Sequence, residues 1–346
     1  MKVGLIGAGR WAGVHRDALN HLGVDIAGVL VSSDTSVSRV QTDWQLPATT
    51  ALDTFLNYDP DAVIVVSPNY LHAQHSLAML KAGKHVLVEK PMALTASDCD
   101  AMIAAAKTSN VVLAVGLEMR VFTLFRAVKD ILDNDVGDND LGDNDLGTPL
   151  HVQLDLTRRP YRAGAGGWKS DPHKLGNAIL EEPIHYLDLA RWYLSPHGEP
   201  VRLQAWANSR TGREMFNENL DVKLEYDSGA YALVTRSIAA FEHAVRLRVI
   251  TEKGSLLAHW YGSMDADTNP HVSLRYHDGT TLYQPDITPH TGHAFDVPKQ
   301  TEAFLAAIRG DGKVAVDGQD GKAAVVLCNA VVDALKSHHS IDLARA

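Results

Sequence analysis

A glycine-rich turn between an apolar strand and a helix begins the chain and constrains its fold more than any other feature. Residues 2–7 form a short, mostly apolar strand-like segment and lead into the pattern G-x-G-x-x-A, formed by Gly7, Gly9 and Ala12, after which apolar residues recur at helical spacing. In this pattern the first glycine permits a tight turn, the second lets the backbone approach a pyrophosphate, and the small third residue lets helix pack closely on strand. The unpaired N–H groups at the start of the helix favour phosphate. The sequence therefore predicts a dinucleotide-binding strand–turn–helix unit.

Strands and helices then alternate along the first third of the chain. After residues 2–7, strand-like apolar segments lie at 26–31, 61–67, 85–88 and 111–116, with segments of helical pattern between them. This alternation is typical of an α/β fold with a parallel, doubly wound sheet of the Rossmann type, which binds its ligands at the carboxyl edge of the strands.

A lysine stands where the strand at 85–88 ends. The strand runs into the corner Glu89-Lys90-Pro91, where Pro91 fixes a turn, so Lys90 is expected at the carboxyl edge of the sheet. Beside a cationic nicotinamide ring the ammonium form of a lysine is disfavoured, and Lys90 could accept a proton near neutral pH. A solvated lysine at a strand end is the alternative that this segment alone leaves open.

The residues after the second strand bear on the choice between NAD and NADP. An acidic residue there binds the ribose 2′-hydroxyl of NAD, whereas small polar and basic groups accommodate the 2′-phosphate of NADP. The chain has Ser32, Ser33 and Asp34, followed by Arg39. The serines and Arg39 suit a 2′-phosphate, while Asp34 could still reach a 2′-hydroxyl. The pattern favours NADP by a small margin.

A third group of polar residues follows the strand at 61–67. Ser67, Pro68, Asn69 and His72 fall on a strand-to-helix loop at the same predicted sheet edge. Each alone is typical of a turn residue or a helix cap. Together they are predicted to line the cofactor groove.

From residue 150 onward the chain changes character. Strand-like segments follow one another with few helices between them and with hairpin signals such as Asp227-Ser228-Gly229, which predicts a largely antiparallel, open sheet in an α+β domain. We expect a Rossmann domain at residues 1–120 and a substrate-binding and oligomerisation domain at 121–346. The helical patterns at 297–308 and 323–336 are expected to close the second domain.

Several motifs resemble the glucose–fructose oxidoreductase, inositol dehydrogenase and MocA (Gfo/Idh/MocA) family. They lie at residues 7–15, 67–72, 82–91 and 115–120, and the likeness extends over nearly the whole chain. The resemblance implies an NAD- or NADP-dependent oxidoreductase that acts as a homodimer or homotetramer. The residues expected to bind the cofactor are Gly7, Gly9, Arg10, Trp11, Ala12, Ser32, Ser33, Arg39, Ser67, Pro68, Asn69, His72, Glu89 and Lys90.

A second chemical motif lies in the C-terminal half, at residues 176–188. Glu181 and His185 are four residues apart, which puts both on one helical face if the helix extends that far. A glutamate beside a histidine can fix the tautomer of the ring, although a capping glutamate and a core histidine would give the same spacing. Family members usually have an aspartate at the position of Glu181 and a glycine at that of Pro183. The resemblance implies the catalytic set Lys90, Glu181 and His185, and leaves open whether Lys90 or His185 is the formal base.

Polar and aromatic residues near these motifs are candidates for binding a polyhydroxylated substrate, because rings stack on sugars while polar groups exchange hydrogen bonds with hydroxyls. Most precede the second motif on a glycine-interrupted loop, and two follow the strand at 111–116. The set is Glu118, Arg120, Arg159, Tyr161, Trp168 and Lys169.

Composition excludes several other classes of protein. A net charge of −10 argues against nucleic acid or an anionic membrane as the main partner. Two cysteines and the spacing of His290 and His293 support neither a disulfide framework nor a metal site. The Asp-Asn-Asp repeats at 133–147 could suggest calcium, but their five-residue period matches neither an EF-hand loop nor a nonapeptide roll, and a solvated surface loop is expected. No apolar run approaches membrane-spanning length and a strand begins at residue 2, so a cytoplasmic protein is expected.

These patterns and the family resemblance together predict an NAD(P)-dependent dehydrogenase that transfers hydride between the nicotinamide and a secondary alcohol of a sugar, sugar derivative or cyclitol. The resemblance also allows an alternative, an NAD-dependent glycosidase that oxidises its substrate transiently and regenerates the cofactor. A second alternative is a cofactor-binding regulator without catalysis, against which the joint presence of Lys90, Glu181 and His185 argues.

Overall fold

A computed structural model of the chain describes residues 1–133, 145–160, 165–210, 212, 214–263, 267–287 and 290–343. Most of the predicted loop at 133–147, and the predicted substrate residue Tyr161, lie outside the described residues. The chain divides into two compact units. The first consists of Met1–Glu118, Ala163–Gly176 and Asp296–Val325, and the second of Met119–Arg162, Asn177–Phe295 and Val326–Ala346.

The first unit contains a six-stranded parallel sheet with helices between successive strands. Its strands are β1 (Lys2–Ile6), β2 (Asp25–Leu30), β3 (Ala48–Thr49), β4 (Ala62–Val65), β5 (His85–Glu89) and β6 (Leu113–Gly116). The helices among them are α1 (Arg10–His21), α2 (Asp34–Arg39), α3 (Leu52–Leu56), α4 (His72–Lys81) and α5 (Ala96–Ser109). The strand order β3-β2-β1-β4-β5-β6 confirms the predicted doubly wound Rossmann sheet, and its order reverses between β1 and β4.

The central strands are buried along their length because helices cover both faces of a parallel sheet. Local signals set the helix ends: Thr95 caps α5 by accepting a hydrogen bond from the Asp98 N–H (3.1 Å), and Asn110 ends it in the left-handed conformation. Two later segments join this unit, namely the short helix α7 (Pro172–Leu175) and the helix α9 (Val297–Arg309).

The position of α9 differs from the sequence expectation, which assigns this helix to the second domain. In the structure α9 packs against α1, and Phe304 and Leu305 enter the core around Val3, Leu5 and Leu19. Its amphipathic pattern predicts the helix but does not specify which core receives the apolar face.

The second unit contains a nine-stranded sheet. Its strands are β7 (Pro149–Thr157), β8 (Arg202–Asn208), β9 (Asn219–Glu225), β10 (Tyr231–Ser237), β11 (Ala244–Thr251), β12 (Ser255–Tyr261), β13 (His271–His277), β14 (Leu282–Tyr283) and β15 (Ile341–Asp342). The strand order is β14-β13-β12-β11-β7-β10-β9-β8-β15, and every pair is antiparallel except β7 with β10. The predicted open, largely antiparallel sheet is therefore confirmed.

Helices cover one face of this sheet. They are α6 (Thr123–Leu132), which packs on β12 and β13, and α8 (Pro183–Tyr193), which packs on β7 and β10. The last helix, α10 (Gly318–Ser337), begins within the first unit and ends within the second. Within the described ranges, no helix combines the length and the apolar composition needed to cross a membrane.

Candidate active site

The glycine turn has the geometry that a dinucleotide requires. Gly7 has φ of +112°, and a Cβ on it would lie 2.5 Å from the Val66 carbonyl oxygen, so this position accepts only glycine. Gly9 is the extended N-cap of α1, and a Cβ there would meet no described atom within 4 Å. Ala12 is fully buried. The backbone before α1 is thus open to a ligand, and the turn fits the pyrophosphate of a dinucleotide.

Beyond β2, an arginine reaches back to the glycine turn. The Arg39 Nη2 donates to the Ala8 carbonyl at 2.5 Å, which holds an exposed guanidinium beside the turn. Ser33 caps α2 by accepting a hydrogen bond from the Ser36 N–H (3.2 Å), while Ser32 and Asp34 are exposed. Arg39, Ser32 and Asp34 are therefore accessible to an adenosine ribose.

The loop after β4 is anchored by buried polar contacts. Asn69 is 6% exposed, and its Nδ2 donates to the Leu175 carbonyl at 3.3 Å, which ties the loop to α7. The Ser67 hydroxyl lies 2.9 Å from Nδ1 of His75, a residue that no sequence pattern singled out. Burial lowers the pKa of His75.

The candidate substrate residues Trp168 and Lys169 belong to the same compact unit as the glycine turn. They lie in a 3₁₀ turn that leads into α7, and the Lys169 Nζ is 5.5 Å from the centre of the Trp168 ring. Because α7 packs on the 3₁₀ turn Asn69–Leu71, this segment is attached to the loop after β4. Its sequence position, far from the Rossmann strands, gives no indication of this attachment.

Lys90 follows β5 at the carboxyl edge of the parallel sheet, the edge at which the glycine turn opens α1. Its neighbour Glu89 is 4% exposed, and its Oε1 lies 2.7 Å from the His15 Nε2. The other oxygen accepts a hydrogen bond from the Lys90 N–H at 3.2 Å. Burial alone would raise the pKa of Glu89, but His15, the Lys90 charge and a hydrogen bond from Trp11 outweigh it and hold that pKa below its ordinary value. The side chains of Glu89 and Trp11 are therefore hydrogen-bonded to each other next to the corner Glu89-Lys90-Pro91.

A second buried histidine contacts the far side of the corner. The two ring nitrogens of His72 lie 2.7 Å from the carbonyl oxygens of Pro91 and Ser67. Burial lowers the pKa of His72, against the opposing effect of these carbonyls. A neutral imidazole carries one N–H, so it donates to one of the two carbonyls at a time.

In the second unit, Glu181 and His185 lie around the start of α8. Pro183 occupies the first helical position, so α8 begins after Glu181 and the condition under which the spacing places both residues on one helical face is not met. Glu181 instead follows a turn in which the Asn177 Oδ1 accepts hydrogen bonds from the Ile179 and Leu180 N–H groups, each at 3.0 Å. Glu181 and His185 are 7% and 4% exposed.

One buried and one partly buried ion pair hold this segment. The Arg120 guanidinium binds the carboxylate of Asp188 in α8, and Arg158 binds Glu182, the N-cap of α8. Burial would raise the pKa of Glu182, but the charges of Arg158 and His243 outweigh it and lower that pKa. Arg120 is thus held by Asp188, and neither ion pair is indicated by the sequence.

The remaining predicted substrate residues are Arg159 and Glu118. The Arg159 Nε donates to the Phe241 carbonyl at 3.1 Å, and Glu118 is 3% exposed. His290 stacks on Phe122 with ring centres 5.6 Å apart. Among the residues that the structure describes, no three His, Cys, Asp or Glu side chains are arranged to hold a metal ion.

The two halves of the chain match the two halves of one protein family. Residues 1–117 match the model described as the oxidoreductase family, NAD-binding Rossmann fold, of Gfo/Idh/MocA proteins. Residues 139–343 match the C-terminal alpha/beta domain of the same family. The chain belongs to the Gfo/Idh/MocA family. It is accordingly an NAD-binding oxidoreductase with the two-part architecture of its family.

Named relatives agree with this assignment. The chain is 26% identical to myo-inositol 2-dehydrogenase of Thermotoga maritima over 99% of this chain and 98% of the relative. It is 27% identical to 1,5-anhydro-D-fructose reductase of Ensifer adhaerens over 82% of this chain and 80% of the relative. The fold matches the WlbA dehydrogenase of Bordetella pertussis in complex with NADH and UDP-GlcNAcA, with a TM-score of 0.79, 18% identity, and coverage of 99% of this chain and 97% of that one.

Proposed function

We propose that this protein is an NAD(P)-dependent dehydrogenase that oxidises a secondary alcohol of a sugar, sugar derivative or cyclitol. The observation that carries the proposal is that Lys90 stands at the same carboxyl edge of the sheet as the open glycine turn. A group that exchanges protons there is available to an alcohol beside a nicotinamide ring. The relatives named as an inositol dehydrogenase and an anhydrofructose reductase support the substrate class.

The residues that would hold the cofactor follow from the first unit. The N–H groups at the start of α1 and the backbone at Gly9 suit the pyrophosphate, and the loop at Ser67–Asn69 and Lys90 suit the nicotinamide end. Arg39 beside the turn favours NADP, although Asp34 could bind the ribose hydroxyl of NAD. When bound, the nicotinamide supplies the acceptor for the hydride that leaves the alcohol carbon.

The proposed catalytic set is Lys90, Glu181 and His185. Lys90 or His185 takes the hydroxyl proton as the alcohol is oxidised, and Glu181 orients the substrate or the histidine. The nearly complete burial of Glu181 and His185 supports this role, because a water-poor surrounding strengthens the interactions of both groups with a bound alcohol. We further propose that the protein is cytoplasmic and that it forms a homodimer or homotetramer. Light scattering on the purified protein tests the number of subunits.

The proposal is tested by a panel of sugars, sugar derivatives and cyclitols, each assayed with NAD and with NADP. Reduction of the nicotinamide in step with oxidation of one class of polyol is the expected result. Product formation without net nicotinamide reduction would instead identify a transient oxidation, and binding of the cofactor without turnover on any member would contradict the dehydrogenase.

A further inference from the structure

The three-residue corner Glu89-Lys90-Pro91 is held from both sides by buried histidines. On the side of β5, His15 of α1 lies 2.7 Å from the Glu89 carboxylate, and these side chains are 0% and 5% exposed. On the other side, His72 of α4 lies 2.7 Å from the Pro91 carbonyl. Lys90 is the residue between the two contacts.

The carboxylate of Glu89 fits in a space that a neighbouring glycine provides. A Cβ on Gly116 of β6 would lie 2.8 Å from Oε1 of Glu89 and 2.9 Å from its Cδ. Trp11 and the Lys90 N–H supply further hydrogen bonds to the same carboxylate. Groups from α1, β6 and the corner itself therefore surround one buried negative charge immediately before Lys90.

Stability alone is a weak explanation for such an arrangement. A buried polar pair gains little over well-packed apolar residues of the same volume, because both groups lose their hydration. The contacts instead fix the position of the corner relative to α1 and to the loop after β4. His15 lies on the helix that the glycine turn opens, and the His72 ring lies between the Pro91 carbonyl and the Ser67 carbonyl of the loop after β4.

We propose that His15 and His72 are positioning residues for Lys90, acting through Glu89 and Pro91 to fix its backbone at the sheet edge and a negative charge beside its amine. This inference rests on the proposed function, in which Lys90 exchanges a proton with the alcohol. A displacement of about 1 Å in such a group can cost roughly 10²-fold in turnover.

The test compares disruptive and conservative variants of each histidine. His15→Leu and His72→Leu remove the contacts, whereas His15→Gln and His72→Asn keep an N–H at the reach of the bonded ring nitrogen. Glu89→Gln keeps the shape of the side chain and removes its charge. The matched control is His85→Leu at the opposite end of β5, where His85 accepts a hydrogen bond from the Val112 N–H at 3.0 Å.

The principal readout is the reaction of Lys90 with acetic anhydride, measured by mass spectrometry relative to the exposed Lys107. It requires no turnover. We expect both leucine variants and Glu89→Gln to change this ratio by about threefold or more, since the amine loses its fixed position or its neighbouring charge. The Gln and Asn variants of the histidines and His85→Leu should stay near the wild-type ratio. In the turnover assay, the leucine variants should lose roughly tenfold or more in kcat with the KM for the polyol nearly unchanged.

The outcomes separate this inference from the proposed function. If the wild-type protein oxidises a polyol while the labelling ratio and kcat of the leucine variants stay at wild-type values, the positioning role is refuted and the dehydrogenase stands. If the ratio changes as expected but no polyol is oxidised, Lys90 is positioned by the histidines and the proposed reaction is refuted. Should the leucine variants fail to fold, an unchanged ratio in Glu89→Gln refutes the inference.

Discussion

Arg120 donates two hydrogen bonds to the carboxylate of Asp188, with Nε–Oδ2 at 2.7 Å and Nη2–Oδ1 at 2.6 Å. The side chains are 5% and 1% exposed, and the guanidinium also lies 5.3 Å from the ring centre of Trp192. Asp188 lies three residues after His185 on α8. The ion pair therefore fixes the helix that carries a proposed catalytic histidine, and it restricts Arg120 as a substrate ligand.

Removal of one partner of this ion pair should destabilise the protein. Arg120→Met leaves the Asp188 carboxylate buried without its counter-charge, and we expect a loss of about 3–5 kcal/mol in the free energy of unfolding, measured with urea. The double variant Arg120→Met with Asp188→Leu should recover much of that loss. A raised KM for substrate at unchanged stability would show instead that Arg120 serves as a substrate ligand.

The two glycines of the turn should respond differently to alanine. Gly9→Ala should leave the melting temperature near that of the wild type, because its Cβ meets open space, but should abolish dinucleotide binding measured by calorimetry. Gly7→Ala should lower the free energy of unfolding by about 1–2 kcal/mol or more, because φ at this position is positive. Normal cofactor affinity in Gly9→Ala would place the pyrophosphate elsewhere.

Arg39 should set the preference between the two cofactors. Arg39→Ala removes a guanidinium beside the glycine turn, and loss of one charge-assisted hydrogen bond to a 2′-phosphate costs about 1.5–3 kcal/mol. The Kd of NADP should therefore rise by roughly 10- to 150-fold while that of NAD changes little. An equal effect on both cofactors would indicate that Arg39 supports only the turn.

Stability should fall in mildly acidic solution because of His72. The unfolded chain takes up a proton near the ordinary pKa of 6.5, whereas burial lowers the pKa of His72 in the folded protein. The stability that depends on a neutral His72 is fully present above pH 6.5, the ordinary pKa of histidine. It is lost as the pH falls from there towards the pKa of His72 in the folded protein, at up to about 1.4 kcal/mol per pH unit. Urea titrations across this range should show a shallower slope for His72→Asn than for the wild type or for a variant of the exposed His339. Equal slopes would exclude His72 as the source.

The sequence predicts the parts of this protein that depend on local patterns. The glycine turn, the strand–helix alternation and the strand ends that carry Lys90 and Ser67 follow from residue types and spacing, and the structure has them in the predicted Rossmann order. The sequence leaves open whether α8 includes Glu181, and in the structure the helix begins after it, with Pro183 at the first helical position.

Contacts between distant residues are what the sequence leaves undetermined. His15 and Glu89 are 74 residues apart, and Arg120 and Asp188 are 68 apart. Nothing in either local pattern indicates that these side chains are buried against each other. The packing of α9 on α1 is undetermined for the same reason, since an amphipathic helix specifies an apolar face and not its partner.

We propose above all that Lys90 or His185 takes the hydroxyl proton in a nicotinamide-dependent oxidation of a polyol. The most direct test is the turnover of Lys90→Ala and His185→Ala on the best substrate of the panel, together with their cofactor Kd. Each variant should lose roughly 10²–10⁴-fold in kcat while its cofactor Kd remains close to the wild-type value. Turnover near the wild-type rate in both variants would contradict the account.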